Sequence, residues 1–278
     1  MRDVLTIAVL TWQEARRRKI FLAAILLGLA FILLYGVGTY FMVRDIKASR
    51  VVVEMAHNAG FNFVVMAGLY VVSFLGVMLS VLTSVGTLSA EISSHTVQCL
   101  VTKPLRRVAI VLGKWLGLLI MLGVYIAFLS GGVLLATWLF SGHVPQYVVG
   151  GIALIILQAV IMLTISLLGG TRLSTVANGV MAFMLYGLAF IGGWMEQIGS
   201  LMRNETVVDI GIASSLLVPS EAMWKMAAYY MQPVIVNTLG VTPFSQSTPP
   251  STAMLVYALL YVGGLLALAV WSFNRRDL

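Results

Sequence analysis

The sequence predicts an all-α polytopic membrane protein, and three observations carry that prediction. Its composition is 60% hydrophobic and only 10% charged, with a mean hydropathy of +1.00. Several uncharged runs reach the roughly 20 residues that an α-helix needs to cross a bilayer. Alternating polar and apolar segments of about ten residues, the mark of a transmembrane β-barrel, are not evident. In 278 residues this leaves room for one membrane domain and no separate soluble one.

Six spans are expected, at about 20–43, 61–88, 109–140, 144–169, 176–195 and 252–273. Lys114 is the only charged residue inside them, close enough to the start of the third to snorkel toward the interface. Basic residues set the orientation. With the N-terminus in the cytoplasm, twelve of the 17 Lys and Arg residues fall inside and five outside, which follows the positive-inside rule. An even number of spans returns the C-terminus to the same side. The expected location is the inner or plasma membrane, with both termini cytoplasmic. The net charge of +7 is therefore read as an orientation signal and not as a nucleic-acid surface.

Ahead of the first span, residues 1–19 are too poor in apolar content to cross. Val4, Leu5, Ile7, Ala8, Val9, Trp12 and Ala15 share a broad helical face, while Asp3, Thr6, Gln13, Glu14 and Arg17 lie largely opposite; Leu10 and Thr11 break the pattern. Such a helix lies in the interface plane, with Trp12, Arg16, Arg17, Arg18 and Lys19 as anchors at headgroup level. The plainer alternative is a frayed extension of the first span.

Between the fifth and sixth spans, residues 196–251 form an extracytoplasmic loop in this topology. Within it, Ser220 is an expected N-cap, Glu221 sits in a first turn and Pro233 is a stop. A pair of short helices resting on the outer surface is expected. A substrate-gating lid and a plain cover over the span ends both fit.

Absent motifs narrow the function. No G-x-x-x-x-G-K-[ST] phosphate loop occurs, since Trp115 follows Gly113-Lys114 where a hydroxyl residue is required. No H-E-x-x-H and no nucleophile elbow appear. His57, His95, His143 and the single Cys99 lack metal-site spacing, so no metal site and no catalytic residue are assigned. Carboxylates are missing from the expected spans, which argues against a proton-driven carrier. Asn62, Thr83, Gln158 and Asn178 are polar residues within the spans that either line a path or bond between helices.

The stretch AEISSHTVQCLVTKPLRRVAIVLGKW, residues 90–115, interrupts this apolar chain. Lys103, Arg106 and Arg107 would each cost about 2.5–3.5 kcal/mol at a bilayer centre, so residues 89–108 belong outside the hydrocarbon. Residues 92–100 suit two to three turns of helix, and Pro104 disfavours helix at Lys103. The expected result is a short helix held between two long ones.

Here the chain resembles the permease subunits of ABC-2 type ABC transporters. The resemblance rests on Glu91, Thr96, Leu100, Lys103-Pro104, Arg107 and Leu112-Gly113-Lys114. It is supported by the elbow-like TWQEARRRKIF, by LVPSEAMWKMAAYY, which is similar to a Pro-x-x-x-x-Trp stretch of the family's outer loop, and by the ending FNRRDL. His95 departs from the family, many members having Gly before the Thr. The resemblance implies an exporter-like fold with an elbow helix and a coupling helix. Glu91, Thr96, Leu100, Lys103, Pro104 and Arg107 would then face an ATPase or support the face that does. It implies two copies of a separate ATPase subunit, with ATP and Mg bound there and no cofactor in this chain, and a second permease copy or a sister permease. It also implies export of an amphipathic, lipid-like, glycan, peptide or drug cargo by alternating access. An ATPase-independent channel or secondary carrier is the alternative, and an intramembrane lipid enzyme a more distant one.

Overall fold

A computed structural model describes residues 2–17, 19–48, 54–93, 106–239, 242, 244–245 and 251–275. The described elements are all helices. They run α1 (Arg2–Arg17), α2 (Lys19–Ala48), α3 (Glu54–Ser93), α4 (Arg107–Ser141), α5 (Val148–Gly170), α6 (Thr175–Met202), α7 (Glu205–Leu217), α8 (Ser220–Met231), α9 (Val234–Leu239) and α10 (Thr252–Asn274). Six are long and apolar enough to span: Lys19–Asp45, Ala59–Ser89, Arg107–Ser141, Val148–Gly170, Thr175–Ser200 and Thr252–Asn274.

Local chemistry explains where these helices begin and end. Ser174 caps α6 by accepting from the Ala177 N–H, and Asn204 caps α7 by accepting from the Val207 N–H. Gly142 ends α4 at φ 73°, a left-handed backbone that glycine adopts without a Cβ penalty.

The centre of the bundle is α3, α4 and α5. Leu69, Val72, Met121, Leu122, Ile126, Ile155, Ala159 and Met162 meet there in one core. The Ser80 hydroxyl donates to the Ala159 carbonyl at 2.7 Å, and the Trp115 indole N–H donates to Thr164 Oγ1 at 2.9 Å. By contrast α2 and α10 are peripheral. Only 11% of the most apolar stretch of α2 and 17% of that of α10 are buried, against 61% for α3. Leu33, Leu34 and Leu260 point outward, which suits lipid or a second subunit.

α1 is a separate helix laid across the start of α4. Ala8, Thr11 and Ala15 are buried in that contact. A Cβ built on Gly117 would lie 2.6 Å from the Ala8 carbonyl oxygen and 2.8 Å from Thr11 Cβ, so the missing side chain is what allows the approach. The broad apolar face expected from the sequence is therefore divided. Thr11, which breaks the apolar pattern, faces the protein, while Leu5, Val9 and Leu10 stay exposed. Small residues win the protein contact because backbones must come close there; the large ones are left on the outside.

The expected outer pair of helices exists as α7 and α8, but it does not rest on a surface. The two helices meet at 108° and are wedged into the bundle. α7 runs back along α6, with Val207 and Val208 against Gly199, Gly211 against Glu196 and Ser214 against Gly192. The Ser214 hydroxyl donates to the Leu188 carbonyl at 2.9 Å. Leu188 is well inside α6, so at 1.5 Å per residue the apex reaches about 20 Å below the Met202 end. On its other side the apex meets α10, where the Tyr257 and Tyr261 hydroxyls donate to the Leu216 and Leu217 carbonyls. α8 then climbs along α5 until Met231 lies against Gly151. Residues 220–228 are buried on every side. Pro219, not Ser220, holds the N-cap position of α8. Ser220 is its first helical residue, and the hydroxyl finds no partner.

Candidate functional site

Two places in this fold bear on the residues that the sequence singles out. The first is the end of the bundle that carries residues 94–105, called here the basic end. α3 enters that segment and α4 leaves it. Thr96, Leu100, Lys103 and Pro104 lie outside the described residues, as does the side chain of Glu91, whose backbone belongs to the last turn of α3. What is described is the frame that holds the segment.

Lys114 is buried, and its ammonium donates to the Thr87 carbonyl at 3.0 Å, tying α4 to α3 just before the break. Its expected role as an interface lysine is therefore corrected: the charge is turned inward onto a backbone oxygen. Arg107, half-buried, donates from Nη1 to the Asn274 carbonyl at 3.1 Å, so it rests against the end of the chain's own last helix. The turn between α5 and α6 reaches the same helix. Thr171 Oγ1 and Ser272 Oγ share a hydrogen bond of 2.9 Å, and Arg172 Nε donates to Ser272 Oγ at 2.9 Å. Beneath these bonds Leu88, Val111, Leu167, Ala269 and Phe273 form a buried cluster drawn from α3, α4, α5 and α10. Phe273 and Asn274 belong to the FNRRDL ending, so this part of the motif has a structural task.

Of the anchor residues, Trp12 is half-buried, Arg16, Arg17 and Lys19 are exposed, and Arg18 lies outside the described residues. Their exposure on the basic end is compatible with headgroup contact.

The four polar residues within the spans are all buried inside the chain. Asn178 Nδ2 donates to the Val85 carbonyl at 3.2 Å and the Ser166 carbonyl at 2.8 Å, joining α6 to α3 and α5. Thr83 bonds back to Leu79 and Ser80 within α3. Asn62 and Gln158 keep side-chain amides without a hydrogen-bond partner.

The second place is the hairpin. Lys225 Nζ and Glu196 Oε2 form an ion pair of 2.7 Å between α8 and α6. Tyr70, Trp194, Trp224 and Phe244 gather beside it, and the Trp194 indole donates to the Tyr70 hydroxyl at 3.2 Å. Sequence reasoning reached Trp224 through the Pro-x-x-x-x-Trp stretch but did not join it to Tyr70 or Phe244. No local spacing relates residues on α3, α8 and the 244–245 segment.

The histidines stay apart. The side chains of His57 and His95 lie outside the described residues. His143 sits between α4 and α5 with its ring 6.4 Å from that of Phe61, and burial pushes its imidazole pKa down. Among the described residues no group of three His, Cys, Asp or Glu side chains stands close enough to hold a metal ion.

An all-α bundle with six helices long and apolar enough to span, among the described residues, defines a polytopic membrane protein. The chain belongs to the ABC-2 transporter family: the model of that family, described as ABC-2 family transporter protein, matches residues 5–278. It is thus a permease-type membrane subunit of an ABC transporter, a family that works with an ABC ATPase. No curated protein gives a significant match to the sequence.

Proposed function

We propose that this chain is the permease of an ATP-driven exporter, two copies of it (or one with a sister permease) standing on two ATPase subunits. In this reading residues 89–108 dock on the ATPase, with Glu91, Thr96, Leu100, Lys103, Pro104 and Arg107 forming or supporting the docking face. ATP and Mg bind to the partner, and α1 anchors the basic end at the cytoplasmic headgroups. The observation that carries the reading is the frame around the segment. α3 and α4, of 40 and 35 residues, are the longest helices, and Lys114 and Arg107 tie them to each other and to α10. A push on a segment held this way moves long helices as bodies and does not dissipate in a loop.

Exposed apolar faces on α2 and α10 suit an amphipathic or lipid-like cargo moving at the protein–lipid boundary, and a second permease copy. The test is reconstitution with an ABC ATPase that co-purifies with the chain. Glu91→Arg is expected to leave membrane insertion intact while abolishing transport that depends on ATP. Full transport by that variant, or transport by the permease without any ATPase, overturns the proposal; the second result favours a channel or carrier.

A further inference from the structure

The hairpin buries one carboxyl group that no cation pairs with directly among the described residues. Glu196 and Lys225 satisfy each other at 2.7 Å. Glu221, one turn before Lys225 on α8, is 4% exposed, and its Oε2 has no hydrogen-bond partner. A carboxylate removed from water without a partner costs several kcal/mol, so a buried one is found with a cation or a proton. Lys225 is paired with Glu196, so Glu221 is balanced only by a proton of its own or by one further cation.

Beside Glu221 lies a cavity of about 10 Å3, enough for a single water-sized group. Tyr70, Trp194, Gln197, Trp224 and Phe244 line it with Glu221, and so does Lys225, whose ammonium is held by Glu196. Three of the cavity's rings converge. The centroids of Tyr70 and Trp224 are 5.0 Å apart, those of Tyr70 and Phe244 5.5 Å, and those of Trp224 and Phe244 6.1 Å. Aromatic walls with a carboxylate at one side attract an organic cation through the ring quadrupoles. Size and lining choose among cations. A trimethylammonium group exceeds the cavity. Hard metal ions collect six or more oxygens, whereas ring carbon makes up much of this wall. An –NH3+ group is water-sized and presents three donors, which Glu221 Oε2 and the Tyr70 hydroxyl oxygen can accept.

We infer that the cavity between α3, α6 and α8 is a binding site for a primary ammonium group, with Glu221 as its counter-ion and Tyr70, Trp224 and Phe244 as its walls. The group belongs either to an amine-bearing lipid headgroup or to the amine of a cargo molecule. The site needs no ATPase, so its test stands apart from the transport reading.

The full-length protein in phosphatidylcholine nanodiscs is titrated with methylammonium chloride while tryptophan emission is followed, Trp194 and Trp224 being the reporters. A saturable change is expected, absent with equal sodium chloride or tetramethylammonium chloride. Glu221→Gln is expected to weaken it by at least about tenfold, the scale of one charged hydrogen bond. Phe244→Leu keeps the carboxylate and is expected to weaken it several-fold, so the test survives a Glu221→Gln chain that fails to fold. No saturable change in the unmodified protein overturns the site, as do equal responses to sodium or tetramethylammonium. Undiminished binding in a folded Glu221→Gln chain, or in Phe244→Leu, overturns it too. Nanodiscs containing phosphatidylethanolamine separate the sources: weaker apparent methylammonium binding assigns the site to the lipid headgroup, and unchanged binding assigns it to a cargo amine.

Discussion

Asn178 shows how a polar residue inside a span is used. Its amide bridges two backbone carbonyls on two neighbouring helices, 2.8 and 3.2 Å away. Replacing it with alanine removes both donors and leaves a gap. Hydrogen bonds between membrane helices are worth about 1–2 kcal/mol at the upper end, so Asn178→Ala is expected to lower the unfolding free energy in mild micelles by that amount. A melting curve unchanged from the parent contradicts the bridging role. His143 gives a second residue-scale expectation. Its pKa is lowered in the folded chain by burial, so the unfolded chain binds the proton more readily. Stability from this site is present above the ordinary histidine value near 6.5 and is lost as pH falls through it. Acidification from pH 8 to pH 5 is therefore expected to lower the melting temperature of the parent more than that of His143→Asn. Sequence could place Asn178 inside a span but not decide its role. A path-lining amide and a helix staple have the same chemistry, and only the positions of Val85 and Ser166 separate them.

At the scale of elements, hydropathy alone made the six spans legible, because each is a long apolar run with no internal charge except Lys114 in the third. The hairpin was legible as two helices but not as an insertion. Pro219 divides its apolar content into pieces of 13 and 12 residues, too short to span, and Glu221 and Lys225 make the second piece look like a surface helix. What seats it is paired close approach, Gly192 and Gly211 on facing helices, which no one-dimensional pattern reveals. A Cβ on Gly192 would collide with the Ser214 side chain, so Gly192→Val is expected to displace α7. The readout is labelling of Ser215→Cys by a membrane-impermeant thiol reagent in a Cys99→Ser background. Protection is expected in the otherwise unmodified chain and labelling in the valine variant; equal labelling of both rejects a seated hairpin. α1 follows the same rule. Gly117→Leu is expected to lift α1 from α4, read as increased labelling of Thr11→Cys, a position that is 6% exposed when docked.

For the molecule as a whole, the basic end is a single mechanical unit, and the last helix locks it. Arg107 from the start of α4, Thr171 and Arg172 from the turn between α5 and α6, and the Leu88–Phe273 cluster all meet the final turns of α10. The family resemblance made the FNRRDL ending noticeable in the sequence. Its task was hidden there, because residues 107 and 274 lie 167 positions apart and no spacing connects them. The lock separates two truncations that look alike in sequence. Ending the chain after Arg275 keeps Ser272, Phe273 and Asn274 with their bonds. Ending it after Val270 removes the acceptors of Arg107 and Arg172 and empties the centre of the buried cluster. Loss of a buried phenylalanine alone costs about 3–5 kcal/mol. The longer truncation is therefore expected to melt many degrees lower and to lose coupling to the ATPase, while the shorter one keeps both. α3, α4, α5 and α10 share this lock, so under the proposed coupling a rigid-body shift passed to α3 and α4 is expected to reach the far side of the bundle only if α10 is held. Equal melting and equal ATP-driven transport by the two truncated chains would remove α10 from that path.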